Sequence, residues 1–222
     1  FISSPIQMDE VAFYEIAHYG SAMSPFYTVL ALWVGGLITV AIVHTKVADT
    51  DDLKGVKNYQ KFFGRYIVFF LIGQAQTLIT VLGNLFYVQI DCVHPFLFWV
   101  TSAVTSCMFT FFMYALTYSF GNVGEAIAVV IMVIQVAGAG GTFPVEVLPD
   151  VYQAIYKFLP FTYAMNGLRE CVGGFYGNYL VQDLGVLGCY ILISIGIGAL
   201  RKPFAKLNHM IEMSKEKSGL LI

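Results

Sequence analysis

Amide side chains inside long apolar stretches are the residues of this sequence best placed to contact a polar substrate. Gln74 and Gln76 interrupt one apolar stretch, and Gln135 interrupts another. Hydrocarbon offers an amide no hydrogen-bonding partner, so each must find one within the protein. Two interpretations stay open. These residues form hydrogen bonds between helices, each worth about 0.6 kcal/mol, or they line a substrate pathway.

Sequence signatures of catalysis are absent. The chain contains no HExxH zinc motif, no GxSxG nucleophile motif and no GxxxxGK[ST] phosphate-binding loop. Its four cysteines form no CxxC pair, and its four histidines fall in predicted loops or interfaces. We therefore expect no enzyme activity, no cofactor, no metal ion and no nucleic-acid partner. Cys92 and Cys171 fall in predicted exterior loops, where we expect free thiols, with a disulfide between them as the alternative.

The composition is that of a membrane domain. Of the 222 residues, 58% are hydrophobic and only 12% are charged, against roughly a quarter charged in a soluble domain. A spanning helix needs about 20 mostly apolar residues, and five segments qualify, at 24–43, 66–88, 96–119, 126–143 and 180–200. Asp183, early in the last segment, is expected at the membrane interface. We predict an all-α membrane protein with about five transmembrane helices.

The positions of the basic residues predict the orientation. Ten of the twelve lie in the 44–65 loop or after the last span: Lys46, Lys54, Lys57, Lys61, Arg65, Arg201, Lys202, Lys206, Lys215 and Lys217. Basic residues favour the cytoplasmic side, and five spans place both regions there, as alternation requires. We therefore predict an exterior N-terminal end, exterior segments at 89–95 and 144–179, and a cytoplasmic C-terminus.

The cytoplasmic loop carries the pattern of an amphipathic helix over 49–62. Its apolar residues, among them Leu53 and Val56, follow the helical period, and Lys57 and Lys61 suit its last turn. Two interpretations stay open: a helix lying on lipid headgroups, or a docking surface for a cytoplasmic partner. The second makes Leu53, Val56, Lys57 and Lys61 the candidate coupling residues.

The exterior stretch 146–172 predicts a short amphipathic or re-entrant helical segment. An apolar stripe runs through its first half, and a second short helix is predicted from Thr162 to Cys171. The glycines near the end of the fourth span and the prolines that follow suggest a hinge that lets the chain turn back. The candidate hinge and re-entrant residues are Gly140, Gly141, Pro144, Pro149 and Pro160.

Two stretches carry a family resemblance. The sequence YGSAMSPFYTVLALWVGGLI at 19–38 resembles the start of the C-terminal membrane region of the YhgE/Pip phage infection protein family. The Pro-rich sequence GGTFPVEVLPDVYQAIYKFLPFTYAMNGLRE at 140–170 resembles the segment before the last span of ABC-2 type exporter permeases. The resemblance covers nearly the whole chain.

The resemblance implies a division of the chain and a function. It implies an exterior junction at 1–20 to an N-terminal region not included in this sequence, an ABC-2-type transmembrane domain at 21–200, and a cytoplasmic basic tail at 201–222. It implies a homodimer in the bacterial plasma membrane that exports a substrate, with 49–62 coupling to a cytoplasmic ATPase subunit. The alternative is a non-transporting anchor that presents an exterior domain of the same chain, as a phage receptor or a type VII secretion-like component.

Overall fold

The fold is a bundle of helices around one central helix. The computed structural model describes residues 18–45, 47, 55–141, 143–175 and 177–199, and all regular structure in these ranges is helical. The helices are α1 (Tyr19–Ile42), α2 (Asn58–Leu82), α3 (Pro95–Phe120), α4 (Asn122–Gly138), α5 (Asp150–Ile155), α6 (Pro160–Gly173) and α7 (Tyr179–Ala199). The 201–222 tail and most of the 1–20 junction lie outside the described residues.

Four helices have the length and apolarity of membrane spans. They are α1, α2 with its π-helical extension Gly83–Val88, α3 and α7. The fourth predicted span, 126–143, corresponds to α4, an apolar helix whose 17 residues extend over about 25 Å. This is the lower end of the length that crosses a bilayer. The all-α membrane architecture is confirmed.

We call the two ends of the bundle outer and inner, after the predicted orientation. At the outer end, the Asp91 backbone N–H donates to Ser21 Oγ at 2.9 Å, and the His94 N–H donates to the Cys171 carbonyl at 3.0 Å. At the inner end, Arg65 Nε donates to the His44 carbonyl at 2.8 Å. Each of these bonds joins two segments that the predicted alternation of the spans places on the same side of the membrane.

The core is built around α3. This helix packs against α1, α2, α4, α6 and α7. Trp33 of α1 is fully buried and meets Phe109 of α3 edge to face, with ring centroids 4.7 Å apart. Deeper towards the inner end, Tyr114 Oη donates to the Phe62 carbonyl at 2.9 Å and ties α3 to α2. Most of α2 and α7, in contrast, stays on the outside of the bundle.

The predicted helix over 49–62 is wrong at its centre. Gly55 has a φ of 100°, a left-handed conformation that glycine tolerates, and neither Val56 nor Lys57 is helical. The Lys57 backbone N–H donates to Gln60 Oε1 at 3.0 Å and so caps α2, which starts at Asn58. The second half of the predicted loop helix is therefore the first turn of the second span. Residues 48–54 lie outside the described part of the chain.

The re-entrant prediction agrees with the packing of α5 and α6. Tyr190, near the middle of α7, donates from its hydroxyl to the Phe158 carbonyl at 2.6 Å. The chain therefore descends through α5 to about half the depth of α7, and α6 climbs back to the outer end. The second half of this hairpin is no surface helix, because ten of the fourteen residues of α6 are buried among its neighbours.

Candidate functional site

The amides of α2 bond to neighbouring helices. Gln74 Nε2 donates to the Ala103 carbonyl of α3 at 3.1 Å, and Gln76 Nε2 donates to the Ala31 carbonyl of α1 at 2.8 Å. Gln76 also fills the space that a side chain at Gly35 would need. Both amides are half-buried. Their geometry is that of interhelical bonds, which leaves their role as pathway residues a prediction.

Gln135 differs from the amides of α2 because it accepts a hydrogen bond from the start of a helix. It is fully buried on α4, and its Oε1 accepts the Phe161 backbone N–H at 3.1 Å. That N–H is one of the first in α6, which the helix itself leaves without a partner. Its Nε2 has no hydrogen-bonding partner in the part of the chain that the structure describes. Gln135 thus attaches the tip of the hairpin, near mid-depth, to the fourth helix.

The predicted hinge glycines form a tight turn that two side chains hold. α4 ends at Gly138, earlier than predicted, because Gly140 takes a φ of 67°. Arg169 Nη2 of α6 donates to the Gly140 carbonyl at 3.2 Å. The ring of Phe26 occupies the position where a Cβ on Gly141 would lie. The turn is thereby fixed to both α1 and α6.

The three prolines mark the starts of the helical pieces that follow. Pro144 precedes the short 3₁₀ turn Val145–Val147, Pro149 precedes α5, and Pro160 is the first residue of α6. Proline suits these places because its fixed φ matches a helix start and its missing N–H leaves no donor unpaired. The prolines thus mark the helix starts of the hairpin in the sequence, whereas the hinge motion of the hairpin stays a prediction.

The two cysteines of the predicted exterior loops, Cys92 and Cys171, are neighbours in space but are free thiols. Cys92 Sγ donates to the Cys171 carbonyl at 3.3 Å, and the Cys171 thiol turns towards the Gly167 carbonyl of its own helix at 3.2 Å. Burial raises the pKa of the Cys92 thiol above its ordinary value. Both features disfavour the thiolate that disulfide exchange requires.

An open cavity of about 560 Å³ lies at the inner end. It is lined by the end of α1, the segment after it and the α3–α4 turn, through Val40, Ala41, Val43, His44, Thr45, Val47, Thr117, Gly121, Asn122 and Glu125. The candidate coupling residues Leu53, Val56 and Lys57 belong to the connection between α1 and α2, whereas Lys61 lies in the first turn of α2. Lys57 is exposed, and Val56 and Lys61 are half-buried. Leu53 lies outside the described residues.

Comparison with known proteins identifies the family. Residues 2–200 match the family described as ABC-2 family transporter protein. The chain belongs to the ABC-2 transporter family. It is also 31% identical over 215 residues to the uncharacterized protein YhgE of Bacillus subtilis (strain 168), which confirms the resemblance to the YhgE/Pip group. No solved structure matches the chain.

The ABC-2 match agrees with a permease-like membrane domain. The match with YhgE covers 97% of this chain but only 27% of the relative. The chain therefore spans about a quarter of the length of the curated relative it matches. Sequence reasoning missed two features of this chain, the deep burial of α6 and the capping role of Gln135. Pro160 indicated where α6 starts but not that this helix is buried.

The Gln135 cap gives a testable prediction for the hairpin. Gln135→Leu leaves the Phe161 N–H unpaired at mid-depth, and an unsatisfied buried donor costs about 1–3 kcal/mol. We expect the amides around 159–164 to exchange hydrogen for deuterium about tenfold faster, which corresponds to about 1.4 kcal/mol of local opening. Gln74→Leu removes one amide from α2 instead and serves as the matched control. Equal exchange of the 159–164 amides in both variants would contradict the assignment.

Proposed function

We propose that this chain is the membrane-spanning permease of a bacterial exporter and moves a substrate out across the plasma membrane. The family membership supports a permease-like domain. The observation that carries the export role is the α5–α6 hairpin, which turns at mid-depth and whose second helix, α6, is buried. A permease needs an element that can close one end of a path, and this hairpin occupies the outer half of the bundle.

The hairpin is held in a way that suits a moving part. Single hydrogen bonds to Gln135 and Tyr190, and one from Arg169 to the Gly140 turn, connect it to its surroundings. Two interhelical bonds hold its tip, while its outer end joins the backbone at Val93 and His94. Movement of the tip would break these two bonds and part of the packing of α6, so opening about the outer end is the expected motion.

A dimer and an ATPase complete the proposal. The largely exposed faces of α2 and α7 offer room for lipid and for a second copy, with a substrate path between protomers. The α1–α2 connection and the cavity beside it form the inner face on which a cytoplasmic ATPase subunit would dock. The orientation follows from the basic residues and places the C-terminus in the cytoplasm.

A scaffold is the second candidate, and the length of the relative favours it. Since the chain covers only 27% of YhgE, the main activity of the whole protein can reside in the remainder, with these helices as its anchor. A chimera in which unrelated membrane spans replace these helices distinguishes the permease from the anchor. An anchor keeps its function after the exchange, whereas a permease loses it.

The direct test is purification of the full-length protein in mild detergent, with mass spectrometry of the chains that remain bound. An energised exporter predicts an ATPase subunit in a fixed ratio to the permease. Reproducible recovery of self-associated protein without any ATPase would overturn the ATPase-driven form of the proposal.

A further inference from the structure

The polar side chains that lack a hydrogen-bonding partner are concentrated at one junction between helices. Within the described residues, six buried side-chain nitrogen or oxygen atoms have no partner. One of them, Thr117 Oγ1, lies near the inner end of α3. The other five come from the four helices that meet at the tip of α6, and each of these residues exposes 2% of its surface or less. They are Trp33 Nε1 of α1, Ser102 Oγ and Thr105 Oγ1 of α3, Gln135 Nε2 of α4 and Thr162 Oγ1 of α6.

The two α3 hydroxyls lie on the side of that helix that packs against α1. Ser102 and Thr105 are three residues apart and Phe109 follows after four more, so the three share one face of α3. The ring of Phe109 meets Trp33 of α1 edge to face, with centroids 4.7 Å apart. Ser102 and Thr105 therefore extend the contact between α1 and α3 from Trp33 towards the outer end.

The start of α6 reaches the same junction. Phe161 packs its ring against that of Phe26 on α1, with centroids 5.6 Å apart, and its N–H bonds to Gln135 of α4. Phe26 is seven residues, or about two helical turns, before Trp33 and so lies on the same face of α1. Thr162, the next residue of α6, is thereby placed between α1 and α4.

Helix positions give the depth of these groups. With a rise of about 1.5 Å per residue, Trp33, Gln135 and Thr105 lie about 14, 20 and 22 Å from the inner ends of α1, α4 and α3. The five groups thus follow one another from the outer half of the bundle into its inner half. We call them the polar column.

The unpaired state of the polar column is unusual for this bundle. A buried polar atom without a partner destabilises a fold, and most such atoms find one. Elsewhere Thr28, Thr39 and Thr77 each donate to the carbonyl four residues earlier in their own helix. The groups of the column make no such bond, so their polarity is available to a partner that enters from outside the chain.

We propose that the polar column is a binding site for groups that accept hydrogen bonds, and that it opens when the tip of α6 moves away from α1 and α4. The Trp33 indole and the Gln135 amide nitrogen can only donate, and the three hydroxyls can donate as well. α3 carries no charged residue between Pro95 and Phe120. The column therefore recognises oxygen-rich neutral or anionic groups rather than cations.

Movement of α6 is the simplest way to open the column. The five atoms are shut off from solvent in the described state, so a ligand can enter only if helices separate. α1, α3 and α4 run through most of the height of the bundle, whereas α6 starts at mid-depth, where bonds to Gln135 and Tyr190 hold the tip. Withdrawal of this tip exposes Thr162 and Gln135 together. The inference rests on the proposed function in taking α6 as the moving part.

Cysteine labelling in the full-length protein tests access to the column. We expect 2-sulfonatoethyl methanethiosulfonate, which reacts with thiols that water reaches, to label Thr105→Cys and Thr162→Cys at least tenfold faster than Ser106→Cys. Ser106 is the matched control, because it is as buried on α3 but donates to the Gly73 carbonyl of α2 at 3.1 Å. Peptide mass spectrometry distinguishes each new thiol from the native cysteines. Equal labelling at the three positions, slow or fast, would overturn the proposal.

The charge of the reagent tests the class of ligand. A sulfonate accepts hydrogen bonds, whereas the trimethylammonium group of the matching cationic reagent accepts none. Each rate is divided by the rate at Asn178→Cys, an exposed position at the outer end. We then expect the sulfonate reagent to be favoured several-fold at Thr105→Cys. Equal ratios, or a preference for the cation, would refute the recognition of acceptor groups.

Methionine oxidation supplies a readout that needs no substitution. Met165 lies three residues after Thr162 on α6, and Met113 lies inward of the column against Gly36; each is exposed by 1% or less. We expect hydroxyl radicals generated in water to oxidise Met165 several-fold faster than Met113 in the wild-type protein. Equal oxidation of the two would contradict opening of the column.

These readouts do not depend on transport. A column that is labelled in a protein without export activity would keep this site and remove the proposed function. A column that stays closed in an active exporter would remove this site and keep the proposed function, with its path between protomers.

Discussion

Gly124→Ala is expected to destabilise the protein by about 3 kcal/mol, the upper end of the range for overpacking. A Cβ at this position would meet the carbonyl of Leu116 and lie 2.8 Å from the backbone nitrogen of Thr117. Backbone atoms cannot rotate out of the way as side chains can. α4 would have to move away from α3, and the one residue between the two helices, Gly121, leaves little slack.

Gly188→Ala is the matched control for this prediction. Gly188 also lies in a helix, but no atom comes within 4 Å of the position that a Cβ would take there. Alanine favours helix over glycine by about 1 kcal/mol, so this variant should be neutral or slightly more stable. Thermal unfolding of the full-length protein in detergent compares the two. Equal melting temperatures would show that the α3–α4 contact is looser than described.

Substitution of the coupling residues is expected to remove a bound ATPase. The triple variant Leu53→Ala, Val56→Ser and Lys57→Glu deletes two apolar contacts and reverses one charge on the proposed docking surface. Loss of a few such contacts, worth about 1–2 kcal/mol each, predicts more than a tenfold decrease in the ATPase that co-purifies. Membrane insertion should be unchanged, because α2 starts only at Asn58.

The outer end of the bundle offers a control. Val93→Ser and Val147→Ser change two exposed valines at the opposite end from the α1–α2 connection. This double variant should keep the ATPase. If both variants lose it equally, or if neither does, coupling through the α1–α2 connection is refuted.

Long apolar helices could be placed from sequence, because membrane thickness and apolar length decide where they begin and end. The third and fifth predicted spans, 96–119 and 180–200, match α3 and α7 to within one residue at each end. Errors occur where a local glycine conformation decides instead. Gly55 stops the predicted 49–62 helix, and Gly140 ends α4 before the predicted residue 143.

Burial between helices could not be predicted in the same way. The position of Asp183 early in an apolar stretch predicts that it lies near the membrane interface, which stays a prediction, but it does not predict that this residue is buried. Its burial depends on α6 folding back beside α7, a contact between segments that no local pattern encodes. The same holds for Gln135, whose partner, the Phe161 N–H, exists only once the hairpin has formed.

The single-residue connection at Gly121 has a consequence for how the protein is made. Its φ of 59° and ψ of −138° allow α3 and α4 to lie antiparallel with no intervening loop, and residues 120–125 contain no Lys or Arg. A turn without Lys or Arg carries no charge signal that would orient the two helices during membrane insertion. We therefore expect α3 and α4 to enter the bilayer together as one helical hairpin, with their direction imposed by the basic residues before α2 and after α7.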